Sequence, residues 1–350
     1  MKRAIVQLGE FLTLKRGYDL PEHARLPGEI PVVSSSGITG THKEARVAGP
    51  GVVTGRYGTL GEVFYIDEPF WPLNTALYVQ DFKGNHRRFV SYFLKWVLNG
   101  TESNKAAVPG VNRNDLHARK VGVPEDVGEQ ASIASTLSAY DDLIENNRRR
   151  IALLEQAARL LYKEWFVHLR FPGHEHTPII DGVPEGWEKK PLGTVAPLKY
   201  GKALKNDDRV PGPFPVYGSS GIVGTHAKAL VPGPTIIVGR KGNVGSLYWS
   251  PDDCHPIDTV YYIDSENSSL FLYYALQQMT FISTDVAVPG LNRDFAHSRS
   301  LLVADQKILR LFEDTASPLH QQMELLKRQN ASLAKARDLL LPKLMNGELA

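Results

Sequence analysis

Cysteine is nearly absent from this chain: Cys254 is the only one in 350 residues. An internal disulfide and a multi-cysteine zinc site are thereby excluded, and a reducing cytoplasm is the expected location. Long apolar runs are missing too. No stretch approaches the ~18 residues needed to span a bilayer, and the opening MKRAIVQLGEF meets an acidic residue too early for a secretory signal. Charge of one sign is not in excess either. Forty Lys+Arg against 38 Asp+Glu leave +2, so bulk charge does not mark a nucleic-acid binder. What is present is an ordinary globular mix, 42% hydrophobic and 22% charged, which excludes wholesale disorder. At about 150 residues per domain the length suggests two or three units.

The chain is written twice. IPVVSSSGITGTHKEARVAGPGVVTGRYGTLGEVFYI, from Ile30, aligns without a gap with FPVYGSSGIVGTHAKALVPGPTIIVGRKGNVGSLYWS, from Phe214. The same offset carries Leu8-Gly9 onto Leu192-Gly193, Gly17 onto Gly201 and Tyr78 onto Tyr262. A second block, AVPGVNRNDLHAR from Ala107, repeats as AVPGLNRDFAHSR from Ala287 at a slightly smaller offset. The period is too long for a solenoid, so each copy is expected to be a domain. Short β-branched runs bounded by Gly and Pro predict strands at Val52–Thr54 and Ile236–Val238. The pattern shifts to helix near Phe89–Leu98 and Leu270–Met279, which gives a small α+β domain in each copy.

A long helix follows each copy. From Glu129 no Gly or Pro occurs until Pro172. Leu137, Tyr140, Ile144, Asn147, Ile151, Leu154, Ala158, Leu161 and Trp165 recur at alternating steps of three and four, a coiled-coil seam. Phe312, Ala316, Leu319, Met323, Leu326, Asn330, Leu333, Arg337 and Leu340 form the second seam. Pro318 is expected to bend or restart that helix, and Pro342 with Gly347 to end it. Each helix can pack on its own domain, or the two can pair. If they pair about a pseudo-two-fold axis they run antiparallel, and one register sets Asn147 opposite Asn330. It also sets Ile144 opposite Leu333, Ile151 opposite Leu326, Leu154 opposite Met323, Leu137 opposite Leu340 and Trp165 opposite Phe312. A buried Asn pair costs stability but penalises slipped alignments.

The layout of domain, helix, domain, helix predicts two heads on an antiparallel rod of roughly 42 Å at ~1.5 Å per residue. Such a spacer suits two half-sites about one turn of B-DNA apart, or two separated protein-binding heads. Charge is spread evenly: +3 over 1–127, −1 over 128–167, −1 over 168–304 and +1 over 305–350. Local clusters stand at Lys15-Arg16, Arg87-Arg88, Arg119-Lys120, Lys189-Lys190, Lys199 with Lys202 and Lys205, and Arg240-Lys241. If DNA is bound, so weak a net charge implies help from a more basic partner.

Several features together resemble the specificity (S) subunit of type I restriction–modification systems. They are the alternation of head and helix, PEGWEKKPLGTVAPLKYGK at Pro184–Lys202, the GRYGTLG and GRKGNVG turns, AVPGVNRNDL and AVPGLNRDF, and the closing LLLPKLMNGEL. The first copy departs from the pattern, because IVQLGEF lacks the tryptophan that Trp187 supplies in the second. The resemblance implies an α+β fold. Two similar α/β target recognition domains are separated by two long antiparallel coiled-coil helices in a pseudo-two-fold arrangement. The expected segments are a first head at 1–127, a spacer helix at 128–167, a second head at 168–304 and a spacer helix at 305–350. It further implies that each head reads one part of a bipartite, gapped double-stranded DNA target. The helices would dock two methyltransferase (M) subunits, and restriction (R) subunits would join them. No cofactor is expected in this chain: S-adenosylmethionine would belong to M, ATP and Mg to R.

No enzymatic constellation recurs in both copies. The Gly55 and Gly239 runs lack dinucleotide or P-loop spacing, the serines lack a nucleophile elbow, and His174, His176, Cys254 and His255 lack a second ligand pair for a metal. Asp141-Asp142 reads as a polar helix face. Positions that differ between aligned copies are where two half-sites are told apart: Lys43 against Ala227, Tyr57 against Lys241, Thr59 against Asn243, Trp71 against His255 and Asn74 against Asp258. Shared positions read as scaffold or phosphate contacts: Arg56 and Arg240, His42 and His226, Asn112-Arg113 and Asn292-Arg293. Arg56 and Arg240 read equally well as braces for their turns. The two VPG-x-NR segments are expected to be exposed loops with positive tips that touch DNA, and Lys202 joins the DNA-contacting set. A methyltransferase specificity subunit without a nuclease, and a two-headed protein-binding scaffold, remain open as alternatives.

Overall fold

The computed structural model describes residues 3–56, 61–99, 112–281 and 290–349. The chain divides into two compact units, one of residues 1–148 with 327–350 and one of residues 149–326. The first contains β1 (Arg3–Gln7), α1 (Leu8–Phe11), β2 (Thr13–Arg16), β3 (Ile30–Ser34), β4 (Gly37–His42), β5 (Gly51–Gly55), β6 (Val63–Ile66), β7 (Trp71–Pro72), β8 (Ala76–Asp81), α2 (Arg87–Asn99), α3 (Arg113–Ala118) and β9 (Lys120–Pro124). A long helix, α4 (Val127–Tyr162), follows and runs on into the second unit. A short hairpin of β10 (Ile179–Ile180) and β11 (Val183–Pro184) comes next. The first unit's series then repeats: β12 (Glu188–Pro191), α5 (Leu192–Val195), β13 (Lys199–Tyr200), β14 (Phe214–Gly218), β15 (Gly221–His226), β16 (Thr235–Gly239), β17 (Leu247–Ser250), β18 (His255–Pro256), β19 (Val260–Ile263), α6 (Leu270–Gln277), α7 (Arg293–His297) and β20 (Ser300–Val303). The last element, α8 (Gln306–Asn346), returns to the first unit.

The sheets repeat strand for strand. A four-stranded antiparallel sheet has the order β2-β8-β5-β6 in one unit and β13-β19-β16-β17 in the other. A three-stranded sheet has the order β4-β3-β7 and, in the other copy, β15-β14-β18. The central β5 and β16 are GVVTG and TIIVG, β-branched runs buried along their whole length, as a strand covered on both faces requires. The duplication read from the sequence is therefore a duplication of topology, and the fold is α+β as expected.

A smaller device also repeats. The backbone N–H of Leu14 donates to Nε2 of His117 at 2.9 Å, and that of Leu198 donates to Nε2 of His297 at 2.9 Å. Each imidazole sits beside a glycine. A Cβ on Gly9 would lie 3.0 Å from His117 Cβ, and one on Gly193 would lie 2.7 Å from His297 Cβ. The Leu-Gly dipeptide of each copy is thus needed for close approach of α1 to α3 and of α5 to α7. Accepting an N–H requires the neutral ring. Burial, followed by the nearby Arg113 and Lys83, lowers the His117 pKa; burial and then Arg293 lower that of His297, against an opposing effect of Asp294.

The long helices are capped and paired as the seam predicts. Asp126 accepts the N–H groups of Gly128 and Glu129 at the start of α4, and Asp305 accepts those of Lys307 and Ile308 at the start of α8; both are N-caps of the usual kind. The seam positions of both helices are buried or half-buried, whereas residues 148–150 and 327–329 are exposed. In the first unit Asn147 Nδ2 donates to Asn330 Oδ1 at 3.0 Å, and Asn330 Nδ2 donates to the Ile144 carbonyl at 3.3 Å. Leu137 and Leu340 share that unit's core. In the second unit Trp165 meets Phe312 edge-on at 5.9 Å. Each unit on its own therefore shows the antiparallel register read from the sequence. Beyond Tyr162 the chain makes a π-helical turn, Lys163–Val167, whose wider winding lets both Trp165 and Phe166 face inward onto Phe312.

Two expectations about α8 are corrected. The helix runs through Pro318 without restarting, and it runs through Pro342 to Asn346. An interior proline costs about 3 kcal/mol. Here Phe312, Ala316, Leu341, Leu344 and Met345, buried on either side of the two prolines, hold the helix in place. The end is set by Gly347 at φ +75°, with the Glu348 N–H reaching the Lys343 carbonyl at 2.9 Å. Arg3 adds donors to the Leu344 and Met345 carbonyls and pairs with Glu129.

The asparagine pair and the histidines can each be tested. Asn147→Leu alone leaves Asn330 Oδ1 without its donor and should cost about 1–3 kcal/mol. Asn147→Leu with Asn330→Leu should raise stability in denaturant melts while speeding hydrogen exchange along 140–151; a double variant unchanged in both readouts refutes the register role. For the histidines, the unfolded side chain takes its proton near pH 6.5 and the folded one only at lower pH. Stability is therefore full above pH 6.5 and is lost as pH falls through the folded value. Stability measured from pH 7.5 to 5 should decline, and His117→Gln with His297→Gln should flatten the decline; an unaltered slope would show that other groups cause it.

Candidate nucleic-acid interface

In the second unit two arginines, half-buried Arg240 and exposed Arg293, converge on one ring. The chain leaves β16 at Gly239 and turns through residues 240–246 into β17. Gly290 bridges to Lys241, and the Leu291 N–H donates to the Arg240 carbonyl at 2.9 Å. Tyr261, buried in β19, donates its hydroxyl to the Leu291 carbonyl at 3.0 Å. This docking carries α7 to the turn. The Arg240 guanidinium then lies 4.9 Å from the centroid of Tyr200, and that of Arg293 lies 5.2 Å from the same centroid. Tyr200 meets Tyr261 edge-on at 5.0 Å and is 48% exposed. Lys202 and Lys241 flank the cluster in sequence, both exposed. Asn243 is exposed at the tip of the turn and donates to Ser220 Oγ at 3.3 Å. Ser246 and Tyr248 both donate to the Ser219 carbonyl, so the turn is braced against the β14–β15 hairpin.

The corresponding surface of the first unit is built from different side chains. Arg56 ends β5 with its N–H on the Thr75 carbonyl at 3.1 Å, matching the Arg240 N–H on Thr259 at 3.0 Å. Arg16 stands where Tyr200 stands in the other copy, and its Nε donates to the Asn74 carbonyl at 3.1 Å. Arg113 is exposed, with Nε and Nη2 on Asn114 Oδ1. Lys43, just past β4, is exposed and lies 3.9 Å from Glu44. Tyr57 and Thr59 lie outside the described residues.

Several expectations change. The NR dipeptides are helix starts rather than loop tips. Asn112 caps α3 by accepting the Asn114 N–H, and Asn292 caps α7 by accepting that of Phe295. Their amide oxygens are thereby committed to the backbone, and it is the following arginines that project. His42 and His226 are scaffold: their Nδ1 atoms accept the N–H groups of Leu26 and Val210. Trp71 and His255, expected as readers because they differ, are buried and pack edge-on against those same histidines, at 5.2 and 5.7 Å. Asn74 is tied to Asp19. Among the basic clusters, Lys199 pairs with Asp264 at 2.5 Å, Arg88 with Asp142 at 3.5 Å, and Arg119 donates to the Val97 carbonyl.

Sequence reasoning also misses how the heads hold the helices. Tyr92 of α2 donates to Asp141 of α4, and Arg337 of α8 pairs with the same carboxylate. Asp141 is therefore a junction and not a plain polar face. The corresponding tyrosine of the other copy, Tyr274 in α6, bonds His320 of α8 at 2.6 Å. Glu313 of α8 accepts the N–H groups of Leu270 and Phe271 where α6 begins. Burial nevertheless holds its pKa above the ordinary value. The one clue in the sequence is that the corresponding helical stretches, FVSYFL and LFLYYAL, each carry tyrosine. Burial pushes the Cys254 thiol up to about 11, so it is no activated nucleophile.

The family model described as the type I restriction modification DNA specificity domain matches this chain twice, over residues 2–156 and 184–295. The type I restriction enzyme MjaIX specificity subunit of Methanocaldococcus jannaschii is 26% identical over 259 residues. That match covers 63% of this chain and 59% of the relative, less than two thirds of its length. The HindI specificity subunit of Haemophilus influenzae is 22% identical over 335 residues, covering 71% and 73%. Among solved structures, the S subunit of a type I restriction–modification system from M. genitalium shares the fold at a TM-score of 0.63 and 20% identity, covering 98% of this chain and 96% of that one. With both of its copies matched by that domain, the chain belongs to the type I restriction–modification DNA specificity family.

Proposed function

We propose that this chain is the non-catalytic specificity subunit that directs methyltransferase and restriction subunits to a bipartite, gapped double-stranded DNA target. The observation that carries this reading is the repeated head. Each copy presents an arginine at the end of its central strand, Arg56 or Arg240, and another at the first turn of a short capped helix, Arg113 or Arg293. In this reading the heads are 1–127 and 168–304, and the helices 128–167 and 305–350 are the spacer. Two M subunits bind the helices, and R subunits join that complex. S-adenosylmethionine is held by M, ATP and Mg by R, and this chain holds no cofactor. The single buried cysteine is in keeping with work in the cytoplasm. The near-neutral charge fits a subunit that supplies specificity while its partners supply much of the hold on phosphate.

Mapping modified adenines in the host genome, with and without this gene, tests the reading. A gapped two-part motif that disappears on deletion is expected; a continuous palindrome would sink it. In the assembled complex, Arg113→Ala and Arg293→Ala should each cost roughly 1–3 kcal/mol of DNA binding with melting temperatures unchanged. Wild-type affinity and methylation in both variants would remove these two arginines from the interface.

A further inference from the structure

We propose that Arg240 and Arg293, held against the ring of Tyr200, form a two-pronged clamp on the DNA phosphate backbone in the second head, built on a ring that the first head lacks at the aligned position. The proposal rests on the DNA reading above and adds to it a positioning residue, Tyr200.

Three observations carry it. First, two guanidiniums sit within 4.9 and 5.2 Å of one ring centroid. Like charges gathered on an exposed surface repel one another, and a ring quadrupole returns only about 0.5–1 kcal/mol each at exposed sites; the arrangement becomes favourable when an anion joins it. The carboxylate of Asp294 is 3.9 Å from Arg293 and 90% exposed, too weak a partner to neutralise the pair. Arg240 spends Nη1 on a neutral carbonyl, that of Asp258. Second, the ring is preset. Tyr261 is buried, holds Tyr200 edge-on and is itself tied to Leu291, so the arginines approach a fixed platform, and the forked donors of a guanidinium suit phosphate oxygens. Third, this platform is missing from the first copy by sequence. Tyr200 and Tyr261 align with Arg16 and Leu77, and Arg16 is turned onto the Asn74 carbonyl. The ring that cations do approach there, Tyr18, is elsewhere in the sequence; Lys15 and Arg46 stand farther off, at 5.7 and 5.8 Å, and Arg46 lies closer to buried Trp71, at 4.7 Å.

A clamp on phosphate adds affinity without sequence information, which makes it separable from base reading. The test uses the chain assembled with its methyltransferase partner and a duplex carrying the mapped target. Affinity is measured across a salt series for wild type, Tyr200→Phe, Tyr200→Leu and the double variant Arg240→Gln with Arg293→Gln. Tyr200→Phe should bind within about twofold of wild type, since the ring quadrupole survives. Tyr200→Leu should bind roughly tenfold more weakly, because it removes the quadrupole beneath both arginines. The double glutamine variant, which leaves the ring in place, should lower the slope of log affinity against log salt by about 2, one for each phosphate no longer neutralised. The methylated motif should stay the same in all of them. Wild-type affinity and salt slope in the double glutamine variant would overturn the clamp even if Tyr200→Leu fails to fold. A changed motif would overturn it in favour of base reading. Failure of the wild-type complex to bind any duplex would instead overturn the DNA reading itself, and this proposal with it.

Discussion

One hydrogen-bonded pair inside an apolar seam sets the frame for the rest of the structure. Leucines, isoleucines and aromatics along α4 and α8 supply the burial, but apolar side chains tolerate a slipped register far better than amides do. Asn147 and Asn330 do not. In register each amide meets the other, and Asn330 also reaches the Ile144 carbonyl. Shifted by one heptad either way, the two amides would no longer meet, and one of them would face hydrocarbon, Asn147 against Met323 or Asn330 against Leu154, at about 1–3 kcal/mol for the buried group left unpaired. In the first unit the contact of Arg337 with Asp141, three residues from the seam's Ile144, shares that alignment.

The contacts of heads with helices show how a duplicated unit can keep its geometry while changing its chemistry. The tyrosine hydroxyl of α2 meets a carboxylate, Asp141, and the corresponding hydroxyl of α6 meets an imidazole, His320. The bond is kept because burial of an unpaired hydroxyl is costly. The partner is free to vary because either group can accept the proton. Around this bond the neighbours have adapted: Arg337 balances the charge of Asp141, while Trp249 and Tyr273 meet the His320 ring edge-on. The same division runs through the heads. The histidine struts, the Leu-Gly turns and the strand order are held in common, and the residues at the cationic surface are not.

Much of this is legible in the sequence, for identifiable reasons. The duplication stands out because backbone constraints at Gly, Pro and His recur at fixed spacing. The helices and their register stand out because a seam with steps of three and four tolerates few alternatives once one polar pair must match. What stays hidden depends on contacts distant in the chain. That Tyr200 is a platform follows from Leu291 docking on Arg240 and Tyr261, a link across about 30 to 90 residues that no local pattern encodes. Asn112 and Asn292 carry a local cap signal, an Asn ahead of a short polar-apolar turn, but the Val-Pro-Gly before it is just as strong a loop signal. Trp71 and His255 mislead because difference between copies suggests exposure. In fact a core can also be filled in two ways, provided the histidine beside it keeps its edge-on neighbour.

The asparagine pair has a consequence for which half can associate with which. The N-caps Asp126 and Asp305, and the tyrosine partners Asp141 and His320, make the two helices equivalent position by position. By that equivalence Leu326 stands where Asn147 does, and Ile151 where Asn330 does. The pair is therefore off the symmetry of the duplication. Two first helices brought together in the same register would set each Asn147 against Ile151, and two second helices would set each Asn330 against Leu326. Only one helix of each kind satisfies both amides. A single asymmetric substitution pair thus makes the two helices of a repeated chain complementary to each other and poor partners for copies of themselves.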